Sequence, residues 1–452
     1  MRPKAFIQKA SDCFLCFLLA LASFIFSAVI LRNGIRAWPD AWSYWEGSVS
    51  LIEKHSYSYL SGDRIVYWPP LFSFFLGLFQ LFLPQTGRTL ALAMSVCSGL
   101  GAFAWGLYVL KIFPDQNNSR RSLAFVGSLL FIVVFVPLCC MSLSSNSLEL
   151  FFVGLLFYHL ACFNERQASS ITYQGPILIG FILCGCMLTH NSSIVFVVAA
   201  VIAMFVAGGG SFPQRLLGSG LILLISLVPW IFIRHRLGQG GSHEFSGGAV
   251  TVIQYINQVQ YGIGVFFIST SSVLIQSLVG TLILVGLLAV VLQRPRSESD
   301  ARCRLCIGLS LVVLIGFFVL FNLIPIGDAL GGRYIFYFPL SITPLLLCYA
   351  REKIPLLVFL ILLTVGVSGA RMCQRIWSGA VPTLDERVKE QSPKFIHSEY
   401  FLTSKEDAVV PSGTVRIEPP VYPWGDHWTR NMPWSETGSV VKLIDSETNT
   451  AH

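Results

Sequence analysis

Charged residues are scarce in this chain of 452 residues: they make up 12% of it, against 54% hydrophobic residues. Soluble domains carry about 25% charged residues. A soluble protein of this length would therefore lack the polar surface that it needs. The composition excludes a water-soluble enzyme or binding module and predicts a polytopic membrane protein.

Several motifs are also missing. The chain has no P-loop, no G-x-G-x-x-G, no H-E-x-x-H and no G-x-S-x-G, which argues against a nucleotide-driven transporter, a zinc protease and an α/β-hydrolase. The long polar segments 33–69, 236–262 and 377–452 contain no cysteine. A disulfide framework is therefore not expected, and the twelve cysteines are interpreted as small hydrophobic residues.

Long apolar runs are what the chain has instead. A membrane-spanning helix needs about 20 apolar residues, and we predict eleven spans, at 13–32, 88–112, 122–141, 148–163, 175–190, 192–207, 216–235, 263–292, 305–326, 334–350 and 355–376. The run 70–83 is bracketed by prolines and is short for a crossing. We predict that it is re-entrant, entering the membrane and returning to the same side.

The basic residues support this topology. If 70–83 does not cross, nearly all basic clusters between the spans fall on the side of the N-terminus, as the positive-inside rule requires of the cytosolic side. The fold class is then all-α, with about eleven transmembrane helices, a re-entrant segment in the first external loop (33–87), and an external C-terminus. Residues 1–376 form the transmembrane domain, and 377–452 a small external tail with β-strands.

Two acidic residues could serve chemistry at the external face. Asp40 directly follows Pro39, where it is either a helix N-cap or a general base at the membrane surface. Glu149 opens an apolar run, so it either faces a wet cavity or is a first-turn acid favoured by the helix dipole. The residues alone leave both choices open.

Two basic positions could hold an anion. His190 ends the run GFILCGCMLTH, where it is either an interfacial polar residue or a cation for a ligand phosphate. Arg333, in GGRYIFYFPL, opens a span on the external side and either snorkels to the interface or binds a phosphate. A further external basic cluster, Arg234 to Arg236, suits a lipid headgroup or another anion.

Taken together, these elements resemble the C-class (GT-C) membrane glycosyltransferases, which use polyprenyl-phosphate sugars and include aminoarabinose transferases and protein mannosyltransferases. Four short motifs match in order: PDAWSYWEG after the first span, YWPPLF opening the re-entrant run, GFILCGCMLTH ending a central span, and GGRY opening a late one. The resemblance covers roughly residues 13–376.

The resemblance implies Asp40 as the catalytic base, and Glu149, His190, Arg333, Tyr334, Tyr67 and Pro70 as substrate-binding residues. His190 stands where relatives usually carry Lys or Arg. The second external loop, MSLSSNS, lacks the Asp that relatives often supply there, so a divalent metal is not supported, and no cofactor is expected.

The expected function is transfer of a sugar from a polyprenyl-phosphate donor to a lipid, glycan or protein acceptor on the external face. The expected partners are this donor, the acceptor and membrane lipids, and no nucleic-acid partner is expected. A bacterial inner membrane, with the C-terminus in the periplasm, is the expected location. Two alternatives remain: a transporter or flippase for a lipid or small solute, and a non-catalytic relative that binds a polyprenyl lipid.

Overall fold

The computed structural model describes residues 3–37, 39–58, 64–65, 68–83, 87–113, 119–162, 173–207, 211–237, 273–293, 298–323, 337–378, 400–403, 414–416 and 440–443, with single positions between 251 and 263. Its helices are α1 (Pro3–Ile30), α2 (Pro39–Glu53), α3 (Leu71–Gln80), α4 (Gly87–Ile112), α5 (Ser119–Cys139), α6 (Asn146–Cys162), α7 (Gln174–Thr189), α8 (Ile194–Ala207), α9 (Phe212–Leu237), α10 (Val273–Leu292), α11 (Glu298–Leu323), α12 (Tyr337–Ala350), α13 (Ile354–Ile361) and α14 (Val367–Ser378). A π turn (Leu362–Gly366) joins the last two helices.

Seven stretches of the described chain are helical, long and apolar enough to cross a membrane: Ala10–Ile30, Arg88–Ile112, Ser119–Cys139, Phe212–Leu237, Leu274–Leu292, Cys303–Leu320 and Ile354–Trp377. Five shorter apolar helices accompany them: Leu71–Gln80, Asn146–Cys162, Gln174–Thr189, Asn191–Val206 and Tyr337–Ala350. Each predicted span overlaps one of these helices. The segment predicted to be re-entrant contains α3, the shortest of the five.

Burial separates central helices from peripheral ones. The most apolar windows of α4 and α5 are 67% and 72% buried, whereas those of α9 and α10 are only 22% and 17% buried. The exposed face of α10 is a leucine-rich surface that includes Leu274, Leu278 and Leu282. Apolar surface on this scale is unsuited to water and suited to lipid. The chain is therefore a multi-pass helical membrane protein.

The polar stretch after α1 folds into α2, which packs inside the protein. Residues 43–50 are all buried, so every face of this helix is covered. Tyr44 donates to Ser145 Oγ (2.9 Å) and meets the Phe72 ring edge-on. The periodicity of the tryptophans predicts an amphipathic helix at the membrane interface. The helix is present, but residues 43–50 are covered by other elements and expose no apolar face.

Close approach of α2 to α3 depends on a small residue. A Cβ atom on Gly47 would lie 2.6 Å from Tyr57 Cε2 and 3.0 Å from Ser73 Oγ. Ser48 donates to Gln80 Oε1 (3.2 Å), which adds a polar contact at the other end of α3. The two helices therefore form one packed unit, which leads the chain into α4.

Five short strands form one sheet with the order β2-β1-β3-β5-β4, where β1 is Gly34–Ala37, β2 Ser142–Leu143, β3 Tyr400–Thr403, β4 Thr414–Arg416 and β5 Val440–Leu443. β1 pairs in parallel with β2 and antiparallel with β3. The other neighbours are antiparallel. The sheet thus joins the segment after α1, the loop before α6 and the C-terminal tail.

All twelve cysteines lie in the described residues, and all are free thiols. Eight of them are buried. The expectation that the chain has no disulfide framework agrees with this arrangement.

Candidate functional site

Glu149 lies in the first turn of α6, at the end of a serine-rich loop. Ser144 Oγ donates to Asn146 Oδ1 (2.9 Å), and the Glu149 amide donates to Ser145 O (3.0 Å), so the loop turns directly into the helix. Serine and asparagine favour such turns because their side chains bond to nearby groups. This geometry directs the Glu149 side chain into the protein, where the residue is 1% exposed.

Three side chains donate hydrogen bonds to the Glu149 carboxylate. Asn146 Nδ2 donates to Oε2 (3.2 Å), the Tyr337 hydroxyl donates to the same oxygen, and the Ser193 hydroxyl donates to Oε1. Asn146 Nδ2 also lies 3.2 Å from the Tyr337 hydroxyl. We call these four residues the Glu149 cluster. It joins α6, the turn before α8, and the start of α12.

Burial of a carboxylate costs several kcal/mol unless donors replace the lost water. The cluster supplies donors to both carboxylate oxygens. The sequence left two alternatives for Glu149, a side chain that faces a wet cavity or an acid in the first turn of a helix. Glu149 has the first-turn position that the helix dipole favours, and its side chain is hydrogen-bonded within the protein.

His190 ends α7 in an extended conformation (φ −150°, ψ 130°) and begins the short turn Asn191–Ser193. Its Nδ1 accepts the Ser192 amide (3.3 Å) and lies 2.5 Å from Ser192 Oγ. Because Nδ1 is an acceptor here, a neutral ring carries its proton on Nε2. The residue is 6% exposed. Within this turn, Ser193 reaches Glu149 and Asn191 faces a cleft.

The cleft lies between the Trp-Pro-Pro turn and the ends of α7 and α9. It encloses about 20 Å³ and is lined by Trp68, Pro69, Pro70, Leu188, Asn191, Trp230, Ile233, Arg234 and Leu237. Tyr57 donates to the Trp68 carbonyl (3.0 Å) and so joins the Trp-Pro-Pro turn to the segment that follows α2. Pro70, predicted to bind substrate, is the N-cap of α3 and lines this cleft.

The remaining predicted site residues have different outcomes. The backbone of Asp40 is in the first turn of α2, which begins at Pro39, two residues earlier than an Asp40 cap would require. The Asp40 side chain lies outside the described residues, as do Tyr67, Arg333 and Tyr334. Their proposed roles stay predictions.

Sequence reasoning missed Asn146, Ser193, Tyr337 and Trp230. Tyr337 follows Arg333 by four residues, and Ser193 belongs to the same HNSS turn as His190. The motifs that contain Arg333 and His190 could therefore have indicated Tyr337 and Ser193 as candidate site residues. Trp230 Nε1 donates to Asn191 Oδ1 (3.0 Å), a contact between α9 and the turn.

Among the described residues, no group of three or more His, Cys, Asp or Glu side chains is arranged to hold a metal ion. The Glu149 cluster has one carboxylate, and its other members are an amide and two hydroxyls. In the described residues, the amide and the two hydroxyls all hydrogen-bond to this carboxylate.

No family model, no curated protein and no solved structure matches the chain. The functional argument therefore depends on the arrangement of its own residues.

Proposed function

We propose that this protein is an integral membrane glycosyltransferase, which moves a sugar from a polyprenyl-phosphate donor to a lipid, glycan or protein acceptor on the external face. One observation carries the proposal. The Trp-Pro-Pro turn shares a cleft with the turn that follows His190, and that turn is bonded through Ser193 to Glu149, which Tyr337 also contacts. Three motifs far apart in sequence thus meet in one region.

The proposed reaction is a single displacement. The acceptor hydroxyl or amine attacks the anomeric carbon, and the bond from that carbon to the phosphate oxygen breaks. The phosphate leaves with the bonding electrons, and Asp40 accepts the proton of the nucleophile. The transition state resembles an oxocarbenium ion, so cations near the phosphate favour its departure. Inversion at the anomeric carbon follows from one displacement.

The proposed topology has eleven spans, a cytosolic N-terminus and a re-entrant 70–83. Sheet pairing supports it, because β1 and β2 are neighbours and must lie on one side of the membrane. Between them, α4 and α5 are long enough to cross, which returns the chain to the starting side only if α3 does not. Eight predicted spans separate β2 from β3, an even number, so the tail lies on the same side.

Asp40→Asn tests the mechanism. The purified protein in nanodiscs is given a radiolabelled polyprenyl-phosphate sugar and membrane acceptors, and the label transferred from the donor to an acceptor is counted. We expect transfer to fall by at least about 100-fold, in the range for loss of a general base. The control is Glu53→Gln, at the exposed end of the same helix. An Asp40→Asn protein with near wild-type transfer contradicts the mechanism.

The transporter alternative has its own signature. Proteoliposomes that move lipid or solute across the bilayer, while the pool of lipid-linked sugar stays constant, support transport instead.

We propose a bacterial inner membrane as the location, with the C-terminus in the periplasm.

A further inference from the structure

Two cysteines face each other across the contact between α11 and α12. The Cys303 thiol donates to the Cys348 sulfur, and the two Sγ atoms lie 4.0 Å apart. Both residues are almost fully buried, at 2% and 5% exposed. An S–S bond is about 2.05 Å long, so the two sulfurs need to approach by about 2 Å to form one. Rotation of a cysteine side chain to another staggered position moves its sulfur by at least this distance.

A second polar contact places the two cysteines at facing positions on the two helices. Ser310 Oγ donates to Ser341 Oγ (2.9 Å). Ser310 follows Cys303 by seven residues, and Ser341 precedes Cys348 by seven. Seven residues are about two helical turns, so both contacts lie along one side of each helix. Small residues at both levels allow the close approach of the helices that a disulfide requires.

A cation distinguishes the two sulfurs. Arg351, in the turn after α12, donates from Nη1 to the Cys348 sulfur (3.0 Å). Its Nε lies 3.4 Å from Oε1 of the exposed Glu352, so the guanidinium is held between a carboxylate and the sulfur. Cys348 thus accepts two hydrogen bonds, whereas Cys303 donates one. Because the thiolate is the reactive form of cysteine and a neighbouring arginine favours it, Cys348 is the nucleophile of the pair.

We propose that Cys348 is a site of oxidation by hydroperoxides, and that Cys303 converts the product into a disulfide between α11 and α12. With hydrogen peroxide, the Cys348 thiolate attacks one oxygen, the O–O bond breaks, and hydroxide leaves, which gives a sulfenic acid. The Cys303 thiol attacks the sulfenic sulfur, and water leaves with the thiol proton. Two electrons pass from the two sulfurs to the peroxide. A dithiol reductant reverses the reaction by thiol–disulfide exchange.

The oxidation site lies at the opposite end of α12 from Tyr337, a member of the Glu149 cluster. In the proposed topology, the end with Cys348 faces the cytosol, whose thiol pool keeps such pairs reduced. The disulfide therefore forms when the peroxide level rises, and it then fixes α12, which carries Tyr337, against α11. The proposal does not depend on the reaction that the protein catalyses.

The test is oxidation of the purified full chain in nanodiscs. Reduced protein is treated with hydrogen peroxide, the remaining thiols are alkylated, and the peptides are identified by mass spectrometry. We expect a disulfide between the peptides of Cys303 and Cys348, formed before the exposed Cys373 is oxidised. The midpoint of thermal unfolding should rise at the same time, because the disulfide closes a loop of the chain.

Serine substitutions assign the two roles. In Cys303→Ser, Cys348 should carry added oxygen, because the thiol that resolves its sulfenic acid has been removed. In Cys348→Ser, neither the disulfide nor oxygen added to Cys303 should appear. Cys306→Ser is the matched control, since this buried cysteine lies about one turn further along α11. Its removal should leave the disulfide unchanged.

Arg351→Gln tests the cation. We expect disulfide formation to slow by about three- to tenfold, the effect of one lost charge-assisted hydrogen bond on the attacking thiolate. Arg351→Lys should restore part of the rate. Lys353→Gln, at an exposed position just before α13, should stay within about twofold of the wild type.

Four outcomes would each overturn the proposal. Cys303 and Cys348 stay reduced while Cys373 is oxidised, or a disulfide joins Cys303 to Cys306 instead. The disulfide depends on Cys306 as strongly as on Cys348, or it forms at equal rates in the wild type and Arg351→Gln. Because the readout is disulfide formation, none of these results depends on sugar transfer, so the oxidation site and the transferase are judged separately.

Discussion

At the scale of single residues, Glu149 is a buried acidic side chain whose hydrogen bonds connect three elements of the fold. Its donors come from a neighbouring position on its own helix, from the turn before α8, and from the start of α12. Hydrogen bonds to a charged group contribute about 1.5–3 kcal/mol, more than neutral ones. When one donor is removed, the carboxylate loses a hydrogen bond in a dry environment. The resulting loss of stability therefore exceeds that caused by deletion of an ordinary hydroxyl.

Tyr337→Phe tests this difference against a matched tyrosine. Tyr108 is also fully buried, but its hydroxyl donates to the neutral Ser341 carbonyl (3.0 Å). We expect Tyr337→Phe to lower the free energy of unfolding by about 2–3 kcal/mol and Tyr108→Phe by about 1 kcal/mol. Thermal unfolding in one detergent measures both. Equal effects would show that Tyr337 is bonded no more strongly than an ordinary buried tyrosine.

At the scale of elements, α2 and α3 are held together at two glycines that differ in the space around them. A Cβ on Gly47 would clash with Tyr57, whereas a Cβ on Gly77 would meet its nearest neighbour, Ser48 O, at an ordinary 3.5 Å. Alanine is otherwise preferred to glycine in helices by roughly 0.5–1 kcal/mol. The same substitution should therefore have opposite effects at the two positions.

Gly47→Ala should destabilise the protein by about 1–3 kcal/mol, because the Tyr57 ring must shift. Gly77→Ala should be neutral or stabilising by up to about 1 kcal/mol. Unfolding midpoints of the two variants decide between these outcomes. If both glycines tolerate alanine equally, the contact between α2 and α3 is looser than the described packing.

Much of the helical framework could be predicted because an apolar run is a local property. The positions of α4, α5 and α9 follow from composition and length. The partners of Glu149 do not: serine and tyrosine hydroxyls are common, and only the fold determines which of them meet a given carboxylate. Burial of α2 was missed for a related reason, since periodicity identifies a helix but not what covers its polar face.

At the scale of the whole molecule, the sheet connects the two ends of the chain. Its pairing was beyond sequence reasoning, because strands of two to four residues carry little pattern and their register depends on tertiary contacts. Ile35 pairs with Leu402, so the segment that leads to Asp40 is hydrogen-bonded to the tail. The tail thereby contributes to the position of α2, although the resemblance to glycosyltransferases does not extend to it.

A disulfide can test this pairing. Cysteines at Ile35 and Leu402 should form a disulfide on mild oxidation, because their Cα atoms are cross-strand partners within the usual 4.4–6.8 Å range. Cysteines at Ile35 and Val415 should not, since β1 and β4 are three strand spacings apart, about 14 Å. After cleavage of the chain between α14 and β3, the two fragments stay together on a non-reducing gel if the disulfide has formed. Separation of the Ile35–Leu402 fragments would contradict the sheet.

The lengths of the helices around Glu149 have a consequence for the bilayer. α6, α7 and α8 have 17, 16 and 14 residues, which corresponds to rises of about 25, 24 and 21 Å. A hydrocarbon core is about 30 Å thick. In the proposed topology, with the far ends of these described helices at one headgroup layer, their ends near Glu149 lie about 5–9 Å below the opposite headgroups. We therefore expect the bilayer to be thinner beside these helices, and Glu149 and His190 to lie below the headgroups, at a depth that lipid-attached quenchers can measure.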